Sequence, residues 1–168
     1  SYSGSISLRR AVEKSSNVAT YRLYEELGTR TCMKYLEALN FKGLDKKDYK
    51  YNTTCLGGFT NGTTVVEMAA GYATIANDGE YRTPDCIIKI TDAKGNDIVP
   101  EDTSTKSVYS SSASRMMTSV LQSCVTEYGG TAHVCQLDVD MPAACKTGTT
   151  NNYVDGWLCG YTPYYTTA

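Results

Sequence analysis

The chain has 168 residues, 41% hydrophobic and 20% charged, which is the size and composition of one globular domain rather than a disordered or fibrous chain. Sixteen basic and eighteen acidic residues leave a net charge of −2, with no basic block, so there is no electrostatic track for nucleic-acid phosphates. No apolar run approaches the roughly 18 residues of a membrane span, and Ser1-Tyr2-Ser3-Gly4-Ser5 lacks the pattern of a secretory leader, so any membrane anchor is expected outside these residues.

Hydroxyl side chains dominate, with 14 Tyr against two Phe and one Trp. A surface that is polar without being charged suits contact with sugar and peptide polymers, and equally suits tyrosine used in half-buried positions. The seven cysteines include no Cys-x-x-Cys pair, and His133 is the only imidazole, so a zinc site is not expected.

Leu8, Val12, Ala19 and Leu23 fall at helical spacing, interrupted by Ser15-Ser16-Asn17, so two helices are expected to meet at that polar seam. A third helix is predicted over Thr31 to Asn40, followed by a Lys/Asp/Tyr-rich connection. Thr64 and Glu67 form a capping-box pair ahead of an apolar helix that Asn77-Asp78-Gly79 terminates. Cys86 to Ile90 reads as a strand, turned by Asp92 to Asn96 and returning through Ile98 and Val99. Ser110 to Glu127 reads as a long helix with Met116, Met117, Val120 and Leu121 on its apolar side, stopped by Gly129-Gly130.

The last forty residues predict an antiparallel hairpin, Ala143 to Thr150 and Val154 to Thr162, joined by Asn151-Asn152-Tyr153. A turn centred on Asn152 sets Cys145 opposite Cys159, Thr147 opposite Trp157 and Gly148 opposite Gly156, with the two thiols expected reduced. Helices followed by a terminal hairpin, with no linker or repeat, make residues 1–168 one α+β unit.

Lys146-Thr147-Gly148-Thr149-Thr150 lies on the first of those strands. Glycine weakens a strand but lets another backbone lie close, and an ammonium there is costly unless used. Ser15-Ser16-Asn17 upstream with Lys146-Thr147-Gly148 downstream resembles the second and third active-site motifs of the penicilloyl serine transferases. The stretch from Leu56-Gly57-Gly58 through Glu67-Met68-Ala69-Ala70 to Pro84, and Asp155-Gly156-Trp157 with Gly160-Tyr161-Thr162-Pro163, resemble the bifunctional (class A) penicillin-binding proteins.

That resemblance implies a β-lactamase/transpeptidase-like fold and a D,D-transpeptidase at the outer face of the bacterial cytoplasmic membrane. It would act without cofactor on peptidoglycan stem peptides ending in D-Ala-D-Ala and be trapped by β-lactam antibiotics. It further implies that Ser15 relays a proton towards the leaving D-alanine and that Asn17 orients the substrate peptide. Lys146 would supply positive potential, while Thr147, Gly148 and Thr149 would bind the substrate, with the Thr149 N–H as half of an oxyanion hole.

The family's nucleophile lies in a Ser-x-x-Lys motif upstream of the second motif, and this sequence contains no Ser-x-x-Lys; Thr103-Ser104-Thr105-Lys106 is only Thr-x-x-Lys, between the motifs. The expectation is an internal stretch of a transpeptidase domain, without its nucleophile segment and its last strands. Such a stretch is inactive alone and pairs through its exposed hairpin with another copy or with the missing part. Two other readings stay open: a non-catalytic wall-peptide or partner-binding module on the same fold, and a serine β-lactamase, against which Glu67 is read as a helix cap. His133 is read as a solvated turn residue and the Met116-Met117 pair as core.

Overall fold

The fold begins at the polar seam that the sequence marks. In the computed structural model, which describes residues 4–99 and 102–168, α1 spans Leu8–Glu13, α2 Asn17–Leu27 and α3 Thr29–Ala38. Ser7 caps α1 by accepting from the Arg10 N–H at 3.2 Å, and Ser16 caps α2 by accepting from Ala19 at 3.4 Å. Gly28 at φ +82° ends α2 and starts α3, two residues before the predicted start. The apolar stripe is not the one expected: Leu8 is exposed, and Ala11, Glu13 and Tyr24 are buried instead.

The connection to the next helix is organised by Asp48, which is 1% exposed. Its carboxylate accepts from Asp45 N–H (2.8 Å), Thr60 N–H (2.8 Å) and the Thr60 hydroxyl (2.6 Å). Burial acts to raise its pKa, but these hydrogen bonds outweigh burial and hold it below the ordinary value.

Helix α4 (Val65–Ala76) carries the predicted capping box, with Thr64 N–H donating to Glu67 at 2.8 Å and Glu67 N–H to Thr64 Oγ1 at 3.2 Å. Glu67 also accepts from the Lys42 N–H at 2.9 Å, so it is a cap and a loop anchor. Gly79 ends the turn after α4 in the left-handed region, where an added Cβ would lie 2.1 Å from the Tyr109 carbonyl oxygen.

Strands β1 (Glu80–Tyr81), β2 (Ile90–Thr91), β3 (Asp97–Val99) and β4 (Lys106–Ser107) form two small antiparallel pairs, β1 with β4 and β2 with β3. The second is the predicted hairpin, its turn held by Asp92 accepting from Lys94 and Asn96. Its first strand is shorter and later than Cys86 to Ile90.

Helix α5 (Ser111–Thr126), capped by Ser110, buries Ser114, Leu121, Cys124 and Val125. Met116 and Met117 are 65% and 40% exposed, so they are not core. The buried positions recur at seven and then three or four residues, a line along α5 rotated away from the methionine pair.

Strands β5 (Ala144–Thr149), β6 (Gly156–Tyr161) and β7 (Thr166–Thr167) make one antiparallel sheet in that order, with α5 packed on β5 and α4 on β6 and β7. Leu121, Ala144 and Tyr161 form one buried cluster with Val12, Tyr72 and Ile75, while Cys124, Val125, Ala132, Ala143 and Cys145 form another. The third strand adds to the predicted hairpin and covers part of the β6 edge.

The predicted register is corrected by one residue. Cys145 pairs with Gly160, Lys146 with Cys159, Thr147 with Leu158 and Gly148 with Trp157. Asn152 and Tyr153 both take left-handed φ (61° and 57°), and Thr150 N–H donates to Asp155 O at 3.1 Å, so the loop has four residues and is centred between Asn152 and Tyr153. A one-residue slip sends every partner to the other face. Cys145 and Cys159 therefore point to opposite faces, and all seven cysteines are free thiols. Among the described residues no helix is long and apolar enough to cross a membrane.

Candidate functional site

Two segments 131 residues apart in sequence meet at a single hydrogen bond: Lys146 Nζ donates to Ser15 Oγ at 2.9 Å. Each side of this contact follows from local backbone. Ser15 occupies a left-handed conformation (φ 51°) just past α1, with its N–H on Val12 O (3.0 Å) and the Ser16 N–H on Ala11 O (2.8 Å). Those are the two closing hydrogen bonds of a Schellman helix end, a place that favours glycine. The conformation turns the chain so that Ser16 can cap α2 and Asn17 begins it, exposed.

On the other side, Lys146 is half-buried on β5, and its amine also donates to Thr147 O at 2.8 Å. Burial lowers its pKa, with the neighbouring Cys124 acting weakly the other way. The amine thus loses its proton more readily than an exposed lysine. Because Ser15 Oγ accepts from Lys146, its own hydroxyl proton is directed to another acceptor, which makes the pair a short proton path.

The corrected register decides what the β5 edge presents. Since Thr150 N–H points to β6, alternation along an antiparallel ladder turns the N–H and C=O groups of Thr147 and Thr149 to the free edge. The Lys146 amine on the Thr147 carbonyl agrees with this. Alternation also puts the Thr147 and Thr149 side chains on one face, opposite to Lys146. Gly148 faces Trp157 closely, since a Cβ there would sit 3.3 Å from Trp157 Cβ.

The structure thus brings Ser15 and Lys146 into contact, sets Asn17 two residues beyond, and lines up Thr147, Gly148 and Thr149 along the same edge. The Thr103 to Lys106 segment is elsewhere: Lys106 donates to Ala38 O at 3.4 Å and Thr105 to Glu80 at 3.0 Å. His133 is exposed, and its Nδ1 lies 2.8 Å from Val125 O in the last turn of α5. A cleft of about 500 Å³ between α4, α5 and β6–β7 includes none of Ser15, Asn17, Lys146, Thr147, Gly148 and Thr149. No group of three or more metal-ligating side chains occurs among the described residues.

Sequence reasoning missed the residues that clamp α1. Arg9 donates to Ser119 O (2.6 Å) and Ser119 Oγ (3.0 Å), and Lys14 donates to Gly129 O at 2.8 Å. Glu13 is buried against Arg10 at 2.9 Å. The available signal was an acidic residue in the last turn of a helix, where the dipole disfavours it.

Comparison with known proteins is decisive for the family. The profile described as "Penicillin binding protein transpeptidase domain" matches residues 1–167. The chain belongs to the penicillin-binding protein transpeptidase domain family. Penicillin-binding protein 1A of Clostridium novyi is 34% identical over 169 residues, covering 99% of this chain and 19% of that protein. This transpeptidase-family chain therefore spans about a fifth of that relative's length. The penicillin-binding protein PonA1 of Mycobacterium tuberculosis superposes with a TM-score of 0.82 at 23% identity, over 99% of this chain and 47% of that one. A second PonA1 structure, in complex with penicillin V, gives a TM-score of 0.81 at 23% identity, over 99% of this chain and 47% of that one. The α+β, β-lactamase/transpeptidase-like fold expected from the motifs is the one observed, with small antiparallel sheets that do not close.

Proposed function

We propose that residues 1–168 are part of one D,D-transpeptidase domain and supply its proton relay and substrate edge. The nucleophilic serine would belong to a Ser-x-x-Lys segment outside these residues. The observation that carries this is the Lys146–Ser15 hydrogen bond at 2.9 Å, which joins the second and third motifs across 131 residues in the arrangement a relay needs.

In this reading a stem peptide ending in D-Ala-D-Ala lies along the β5 edge, its terminal carboxylate on the Thr147 and Thr149 hydroxyls. Gly148 allows its backbone to approach. The serine oxygen attacks the penultimate carbonyl, the C–N bond breaks, and the serine proton passes through Ser15 to the departing D-alanine amine. Thr149 N–H stabilises the oxyanion, a donor whose loss elsewhere costs about 2.7 to 4 kcal/mol. Asn17 orients the substrate amide. An amine from a neighbouring stem peptide then takes the acyl group, restoring the serine and completing a peptidoglycan cross-link. A β-lactam follows the first half of this path and stops as an ester. The reaction belongs at the outer face of the cytoplasmic membrane, where its polymer substrate lies, and requires no cofactor.

The absence of Ser-x-x-Lys from the 168 residues favours one other reading, a non-catalytic module that binds wall peptides or a partner. Intact-mass spectrometry after incubation with penicillin separates the two. The 168-residue chain is expected to gain no mass, and a protein carrying both this sequence and an upstream Ser-x-x-Lys is expected to gain one penicilloyl group on that serine. A stoichiometric adduct on Ser15 or Thr103, or none on the longer protein, would overturn the proposal.

A further inference from the structure

The site depends on an unusual helix end. Ser15 stands in the left-handed position that ordinarily takes glycine, and α1, which must hold it there, has only six residues. Isolated helices shorter than roughly 12–15 residues are marginal in water, so tertiary contacts have to fix the last turn.

Glu13 is placed to do this. It is 4% exposed, although carboxylates are rarely buried and an anion in a last helical turn opposes the dipole. The carboxylate accepts from Arg10 at 2.9 Å, and its pKa is held low first by that hydrogen bond. Its backbone carbonyl accepts from Thr131 N–H at 3.1 Å, fixing the Gly129-Gly130 turn on which Lys14 also rests. That turn is tightly seated, since a Cβ on Gly130 would lie 2.3 Å from Cys124 O. Two violations of local preference in one residue, two positions before Ser15, are expected where a site is being held.

We infer that Glu13 is a positioning residue, its buried carboxylate holding Arg10 and the last turn of α1 against α5 so that the Ser15 hydroxyl stays within hydrogen-bond reach of Lys146. The inference rests on the transpeptidase reading above. It requires no contact between Glu13 and substrate.

The test is a double-mutant cycle on β-lactam acylation in the longer protein that carries Ser-x-x-Lys, using Glu13→Gln, Ser15→Ala and both together. Glu13→Gln is expected to slow acylation about tenfold with reversible β-lactam affinity nearly unchanged, as a small misplacement of a relay group does. In the Ser15→Ala background the same substitution should change the rate by less than about twofold, because the group it positions is gone. Equal slowing in both backgrounds, or no slowing at all, overturns the positioning role alone. A wild type that is not acylated, or a Ser15→Ala rate equal to wild type, overturns the site reading instead. Should Glu13→Gln not fold, Arg10→Gln weakens the same ion pair from the other partner and is read by the same cycle.

Discussion

Replacing Ser15 by glycine and, separately, by alanine separates the role of its backbone from that of its hydroxyl. Both changes remove the hydrogen bond from Lys146, so that loss cancels in the comparison. What differs is the conformation at φ 51°. An L-residue there costs about 1–2 kcal/mol, and glycine avoids it. Glycine gives back about 0.5–1 kcal/mol through the larger freedom of its unfolded chain. Ser15→Gly should therefore be more stable than Ser15→Ala by about 0.5–1 kcal/mol. At this chain length that corresponds to about 1–4 °C in melting temperature. Equilibrium urea unfolding with matched m-values measures the difference, and acylation of the longer protein should fall in both variants because both lack the hydroxyl. An alanine variant as stable as the glycine one would refute the argument that Ser15 is held in a strained left-handed helix end.

Asp48→Asn should destabilise the chain by about 1.5–3 kcal/mol, since one charged acceptor among three short hydrogen bonds becomes a donor. The folded pKa of Asp48 is depressed, so its contribution is fully present above the unfolded value of about 3.9 and is lost as pH falls towards the folded one. An Asp48→Asn variant whose stability tracks wild type from about pH 7 to about pH 3 contradicts this. Alkylation of the native protein should reach exposed Cys86 about tenfold or more faster than Cys124, Cys145 and Cys159, because burial shields these three and raises their thiol pKa values. Peptide mapping showing equal rates would mean that the packing around β5 is looser than described.

What could be read from the sequence divides along physical lines. Caps and glycines act within four residues, so the seam at Ser15-Ser16-Asn17, the Thr64–Glu67 box and the Asn77-Asp78-Gly79 stop were all legible. The motif residues were legible through the resemblance of Ser15-Ser16-Asn17 with Lys146-Thr147-Gly148 to a family pattern, since a lysine near a glycine on a strand is by itself a weak signal. Hairpin register was not, because Asn151-Asn152-Tyr153 allows loops that differ by one residue, and the left-handed pair Asn152 and Tyr153 selects the even one. The exposure of Met116 and Met117 was not legible either: α5 offers two overlapping apolar lines, and only the approach of β5 decides which is buried. The β1–β4 pair spans two residues on each side, too short for any periodicity. The clamp of Arg9 on α5, and of Glu13 and Lys14 on the turn after it, joins positions more than a hundred residues apart, beyond the reach of any local rule.

The central claim is that Lys146 and Ser15 form the working relay of a transpeptidase site, and the acylation rate of Lys146→Ala tests it most directly. Measured with a β-lactam on a protein carrying both this sequence and the Ser-x-x-Lys segment, the substitution is predicted to slow acylation by about 10²- to 10⁴-fold. Thr149→Val, which keeps its backbone N–H, is predicted to act mainly on binding. An acylation rate for Lys146→Ala within about twofold of wild type would contradict the account, because a relay that loses its cation cannot leave the transition state untouched.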